Sequence, residues 1–193
     1  MRRLLALLLL VPSLGWAQPS EPLPKRLIES GYAQIGVTLA YDPSYRQISF
    51  PNGDVPLSVG VCSDVVIRAY RGAGIDLQAL VNQDMRRDFP AYPKLWHMSH
   101  PDANIDHRRV PNLATFFRRH GQSLAVTDRA EDYRPGEIVV FALSDGRPHI
   151  GLVSDRLQDG RPLIIHNIGA GAQLGDVLFA FKITGHYRYL PAA

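Results

Sequence analysis

Past Gly121 the sequence changes period. Five short apolar runs (Leu124 to Thr127, Ile138 to Leu143, His149 to Ser154, Leu163 to His166 and Ile183 to Tyr189) alternate with Pro135-Gly136, Asp145-Gly146, Asp159-Gly160 and the glycine-rich Gly169 to Gly175. Runs of that length between such turns predict antiparallel strands in a meander. Before Gly121 the apolar spacing is helical. Lys25 to Val37 places Leu27, Ile28, Tyr32 and Ile35 on one face, Val61 to Tyr70 does the same with Val65, Val66 and Ala69, and Leu77 to about Arg86 follows Asp76 as its cap. A further helix is expected from Leu113 to His120, capped by Asn112 and closed by Gly121, and a short strand from Gln47 to Phe50. Helices first and strands afterwards give an α+β domain rather than alternating βαβ units.

The two ends bound the compartment and the charge. Arg2 and Arg3 precede the apolar run Leu4 to Val11, and Gly15-Trp16-Ala17 supplies a small-residue cleavage signal, so residues 1–17 are expected to be a signal peptide cleaved after Ala17. The run is shorter than the roughly 20 apolar residues that span a bilayer. The expectation is therefore a periplasmic or secreted protein, residues 18–193, without stable membrane insertion. Losing Arg2 and Arg3 lowers Lys plus Arg from 21 to 19 against 18 Asp plus Glu, a net charge of about +1. That balance argues against a nucleic-acid partner, which needs clustered positive charge. About 175 residues suffice for one domain with its own core, expected to be a monomer.

Cys62 is the only cysteine, so no internal disulfide can staple the fold, and a thiol kept in an oxidising compartment is either inert or used. It opens the Val61 to Tyr70 helix, where about half a positive charge from unpaired N–H groups favours a thiolate and can hold an oxyanion. A nucleophilic cysteine also needs an imidazole within reach and a third polar group to orient that ring. His149 starts one predicted strand and His166 ends the next, so an Asp159-Gly160 hairpin brings them side by side, with Gly151 leaving room. Asn167, beside His166, is a second candidate for orienting His149.

Phe89 to Pro111 loses periodicity and reads as a long ordered loop. Its His97, His100, Asp102, Asp106 and His107 invite a metal reading, but no compact histidine-carboxylate helix motif accompanies them, and no metal or cofactor is assigned. Arg108 and Arg109 could clamp a substrate carboxylate.

Cys62-Ser63 at a helix start, Pro135-Gly136-Glu137-Ile138-Val139-Val140-Phe141, Pro148-His149-Ile150-Gly151-Leu152-Val153 and Ile165-His166 together resemble the NlpC-type cell-wall peptidases and CHAP amidases of the papain-like superfamily. Cys62 to Tyr70, Asp106 to Leu113, His166 to Gly169 and Thr184 to Tyr189 look more closely like an uncharacterised bacterial domain-of-unknown-function (DUF) family grouped with those peptidases. The resemblance implies a papain-like fold with N-terminal helices on an antiparallel meander. It implies Cys62 as nucleophile, His149 as general base and then acid, and His166 as the residue orienting His149. Tyr41 falls where such enzymes keep a tyrosine near the oxyanion, and Ser63 and Asp64 are further candidates at the substrate side. The family's acidic residue just before the cysteine is replaced by Val61, with Asp64 two positions after, which bears on substrate recognition. The expected activity is amide hydrolysis on cell-wall peptides, as peptidase or amidase. The alternatives are a transferase sharing the acyl-enzyme and a non-catalytic cell-wall-binding module.

Overall fold

The computed structural model describes residues 21–191, and the leader assigned to residues 1–17 lies outside them. Among the described residues, the helices are α1 (Leu23–Tyr32), α2 (Cys62–Gly72), α3 (Leu77–Arg87) and α4 (Val110–His120). The strands are the short pair β1 (Ala40–Tyr41) and β2 (Val59–Gly60), then β3 (Gln122–Ser123), β4 (Ile138–Ala142), β5 (Pro148–Gln158), β6 (Arg161–Asn167), β7 (Ala172–Gly175) and β8 (Lys182–Arg188). The last six form one antiparallel sheet in the order β3-β8-β4-β5-β6-β7. The meander expected from the turns is therefore only its β4 to β7 part. β8 returns to the free side of β4 instead of extending the far edge.

α2 is the axis of the molecule because its apolar residues point in several directions and each finds a partner. Val65, Val66, Ala69 and Tyr70 have no exposed surface, and burying a side chain of this size contributes about 1.5–3 kcal/mol. Strand alternation divides the sheet: Ile138, Val140, Ile150 and Leu152 face the helices, while Val139, Phe141, Val153 and Ile164 pack with Tyr133 and Leu178 on the other face. The Tyr70 hydroxyl donates to the Tyr189 carbonyl at 2.9 Å, tying the helix to the chain after β8.

Local rules and structure part company in five places. α1 stops at Tyr32, and Ile35 and Val37 continue the apolar period without being buried. Gln47 to Phe50 forms no strand, because side chains take its backbone groups: Gln78 Nε2 donates to Ser49 O at 2.9 Å and Asn104 Oδ1 accepts from Ile48 N at 3.0 Å. α4 begins at Val110, so Asn112 lies inside its first turn and donates to Asp106 O at 3.1 Å. β3 covers Gln122–Ser123 rather than Leu124 to Thr127. Finally, the glycine-rich Gly169 to Gly175 contains β7, which turns at Gly171 (φ 89°) and then pairs with β6. A glycine there is required, since a Cβ would stand 2.3 Å from Thr38 O.

Candidate functional site

The N-terminus of α2 is built before the cysteine is placed on it. Asp64 Oδ2 accepts from Val61 N–H at 2.7 Å, closing the first turn back on itself. The same carboxylate receives Arg108 bidentately, Nε to Oδ1 at 2.8 Å and Nη2 to Oδ2 at 2.9 Å, with both side chains under 5% exposed. Arg108 also reaches the carbonyls of Ser44 and Asp42 at 3.3 Å, and Ser63 Oγ donates to Arg108 O at 2.5 Å. Ser63, Asp64 and Arg108, candidates for the substrate side in the sequence, thus have their hydrogen-bonding groups engaged inside the protein. They join α2 to the segment before it and to the loop before α4. A second buried guanidinium does similar work one helical turn on: Arg68 pairs with Asp54 and donates to Thr38 Oγ1 and Val59 O.

Cys62 occupies the first position of α2 and is 3% exposed. The helix start alone predicts a lowered thiol pKa, but burial overrides it and pushes the Cys62 thiol up to about 11. Three donors work against that rise: the backbone N–H of Ile150, that of Ser63, and the Tyr41 hydroxyl. Tyr41, from β1, is itself pushed up to about 12 by burial and by its contact with Cys62. Ile150 follows His149 in β5, so the strand that carries the histidine also reaches the sulfur.

The histidine pair follows from register. Leu152 pairs with Ile165, which sets Gly151 against His166, and a Cβ on Gly151 would lie 2.3 Å from Ile164 Cγ2 and 3.4 Å from His166 Cβ. Two residues earlier on the same face, His149 leans across so that its Nε2 meets His166 Nδ1 at 3.0 Å. This contact leaves Nδ1 as the His149 nitrogen available to another group. Burial lowers His149 to about 3, with the neighbouring His166 adding to the effect, and lowers His166 to about 4. Both imidazoles are therefore neutral at pH 7. On its far side, His166 Nε2 has no protein partner among the described residues, and it faces Gly175, where a Cβ would stand 2.8 Å away.

Asn167 does not touch His149. Its Nδ2 donates to Gly60 O at 3.0 Å, and its Oδ1 accepts from Gly169 N–H at 3.1 Å, so it fastens β6 to the residue two before Cys62. His186, in β8, is engaged elsewhere, with Nε2 2.6 Å from buried Glu137 and Nδ1 3.0 Å from Ala125 O. Among the described residues no three His, Cys, Asp or Glu side chains converge as a ligand set.

A cleft of about 380 Å³ opens over Cys62, with Tyr41, Tyr45, Trp96, Arg109 and Pro148 among its walls. Sequence patterns did not identify Trp96 and Gly175 as parts of the site. Trp96 lies in an aperiodic loop, and Gly175 was hidden in a run that resembled a turn.

The mixed helix-and-sheet fold, four helices among the described residues against an antiparallel sheet, is NlpC-like. NlpC1 from Trichomonas vaginalis superposes with a TM-score of 0.50 over 93% of this chain at 17% identity, while the chain spans 49% of that neighbour's length. By sequence the chain belongs to the family described as domain of unknown function DUF1287, whose model matches residues 28–189. It is 56% identical over 157 residues to the uncharacterized protein YijF of Escherichia coli (strain K12), covering 81% of this chain and 77% of that relative.

Proposed function

We propose that this protein is an exported cysteine hydrolase, a single papain-like domain over residues 18–193 that cleaves amide bonds in cell-wall peptides in the periplasm or beyond. The observation that carries the reading is the His149 Nε2 to His166 Nδ1 contact at 3.0 Å, on the strand whose Ile150 N–H reaches the Cys62 sulfur. The likeness of the fold to NlpC1 agrees with the NlpC-type resemblance read from the sequence motifs.

When His166 Nδ1 accepts from His149 Nε2–H, His149 Nδ1 is left with its lone pair and can take the thiol proton. Because burial raises Cys62 and lowers His149, both the thiol and the imidazole are neutral in the free protein. Proton transfer then accompanies attack. The Cys62 sulfur adds to the amide carbon as its proton passes to His149 Nδ1, and the developing oxyanion lies toward the α2 N-terminal amides and the Tyr41 hydroxyl. The C–N bond breaks as His149 returns that proton to the leaving nitrogen, giving an acyl-thioester and a free amine. Water then adds, giving its proton to His149, which passes it to the departing Cys62 sulfur as the carboxylic acid leaves. No cofactor enters these steps.

The test is digestion of purified muropeptides by the mature protein and by Cys62→Ala, read by mass spectrometry. New products from the wild type, reduced at least about 1,000-fold in the variant, are expected. No product across a broad set of muropeptides rejects the wall-hydrolase reading, and equal product from both proteins rejects Cys62 as nucleophile.

A further inference from the structure

Two guanidinium groups line the cleft over Cys62, but only one retains donors for a ligand. Arg108 is spent on Asp64 and on the Asp42 and Ser44 carbonyls. Arg109 is held differently. Its Nη1 donates to Asp106 Oδ1 at 2.9 Å and contacts the Met98 sulfur, and its guanidinium carbon lies 4.2 Å from the centroid of the Trp96 ring. Asp106 is 1% exposed and is itself anchored by Asp102 N–H at 2.6 Å. The Trp96 ring face and the Asp106 bond together restrain the guanidinium group. The Nε–Nη2 edge makes no protein hydrogen bond among the described residues.

The backbone under this arrangement is strained. Trp96 and His97 are consecutive non-glycine residues with φ of 63° and 51°, in the left-handed region, a conformation that costs of order 1–3 kcal/mol at each residue. That cost holds a tryptophan 46% exposed on the wall of the cleft rather than in the core. An oriented arginine fork on an aromatic platform, backed by a buried carboxylate, is suited to a planar anion docking edge-on.

We propose that Arg109, stacked on Trp96, binds a carboxylate of the amide substrate, so that the protein selects acidic peptides over their neutral amides. The proposal rests on the cysteine-hydrolase reading and adds to it the substrate class and the residue that recognises it. The cleft seats the scissile carbonyl at Cys62 and the carboxylate at Arg109, while Tyr41, Tyr45 and Pro148 offer apolar surface to the substrate's aliphatic parts.

The experiment compares soluble muropeptides with free carboxylates against the same muropeptides converted to carboxamides. Binding to full-length mature Cys62→Ala is measured by calorimetry, and turnover is measured with the wild type. Amidation is expected to weaken binding and lower kcat/KM by about 10- to 100-fold, the range of a charge-assisted bidentate contact. In an Arg109→Gln background the same amidation is expected to change either quantity by less than about threefold, with Arg109→Lys intermediate because it keeps charge without the fork. Unfolding curves for each variant separate lost recognition from lost structure. Binding that ignores amidation, an equal amidation penalty with and without Arg109, or no binding of either form overturns the proposal. Carboxylate-dependent binding without any turnover rejects the hydrolase reading alone.

Discussion

At Cys62 two forces act on one proton. The unpaired amides at a helix start favour the thiolate, while removal from water favours the thiol, and here burial wins, with the group pushed up to about 11. His149 is moved the opposite way, to about 3, by burial and by His166. A base with a depressed pKa stays unprotonated as pH falls until that lower value is approached. The acid limb of kcat/KM should therefore lie below about pH 4 rather than near the ordinary histidine value of roughly 6.5, with a flat profile from pH 5 to 9. Initial rates across that range check this, and an acid limb near 6.5 contradicts it. Gly175 tests the far end of the pair. A methyl group there would stand 2.8 Å from His166 Nε2, so Gly175→Ala should displace the ring and lower kcat by about 10- to 100-fold while the unfolding transition stays cooperative. Unchanged kcat would mean that the His149–His166 contact is dispensable. At this scale the sequence was informative about the position of Cys62 at a helix start and about the meeting of the two histidines, which follows from strand register. It was silent about their protonation, which depends on burial by residues distant in the chain.

The element that matters most is the first turn of α2. Asp64, a substrate-side candidate in the sequence, closes the turn through Val61 N–H, but its main partner is Arg108, 44 residues later. No local rule pairs two residues at that separation, which is why Arg108 resembled a free cation in the sequence. Breaking the buried pair leaves a charge without a partner, so Asp64→Ala should destabilise the protein by about 3–5 kcal/mol in urea titrations, and the double replacement Asp64→Leu/Arg108→Met should recover most of that loss. A single-variant cost below about 1 kcal/mol would show that the pair does not hold the helix end. The same reasoning explains the misread segments. Gln47 to Phe50 and the first turn of α4 are set by Gln78, Asn104 and Asn112 reaching across the structure. Helix α3, by contrast, obeys its own cap, with Asp76 accepting from Gln78 N–H and Ala79 N–H, and there the expected limits agree with the structure to within one residue.

Over the whole molecule, buried neutral histidines link stability to pH. His107 and His149 are lowered to about 3 and His166 to about 4, each chiefly by burial. Between these values and the unfolded value of roughly 6.5 the unfolded chain binds more protons than the folded one, so stability is full above about pH 6.5 and falls as pH drops toward 3. Each group contributes a slope of up to about 1.4 kcal/mol per pH unit. Urea titrations at pH 7, 6 and 5 should show stability falling at every step, and His107→Gln, which removes one such group, should flatten the slope. A pH-independent midpoint would contradict the burial of these rings. At this scale the α+β division was legible from the change in period at Gly121, and the helix-on-sheet layering follows from it. The return of β8 to the side of β4 was not legible, because turn chemistry specifies only neighbours in sequence, and β8 follows a glycine-rich segment that itself conceals β7.

The central claim, that Cys62 becomes acylated by an amide substrate with His149 as its proton carrier, is tested most directly by rapid-quench intact-protein mass spectrometry during turnover of a muropeptide. The account predicts a transient adduct equal to the acyl fragment, mapped to Cys62, and absent from both Cys62→Ala and His149→Ala. Product released by the wild type with no such adduct, at a rate that Cys62→Ala reproduces, would contradict it.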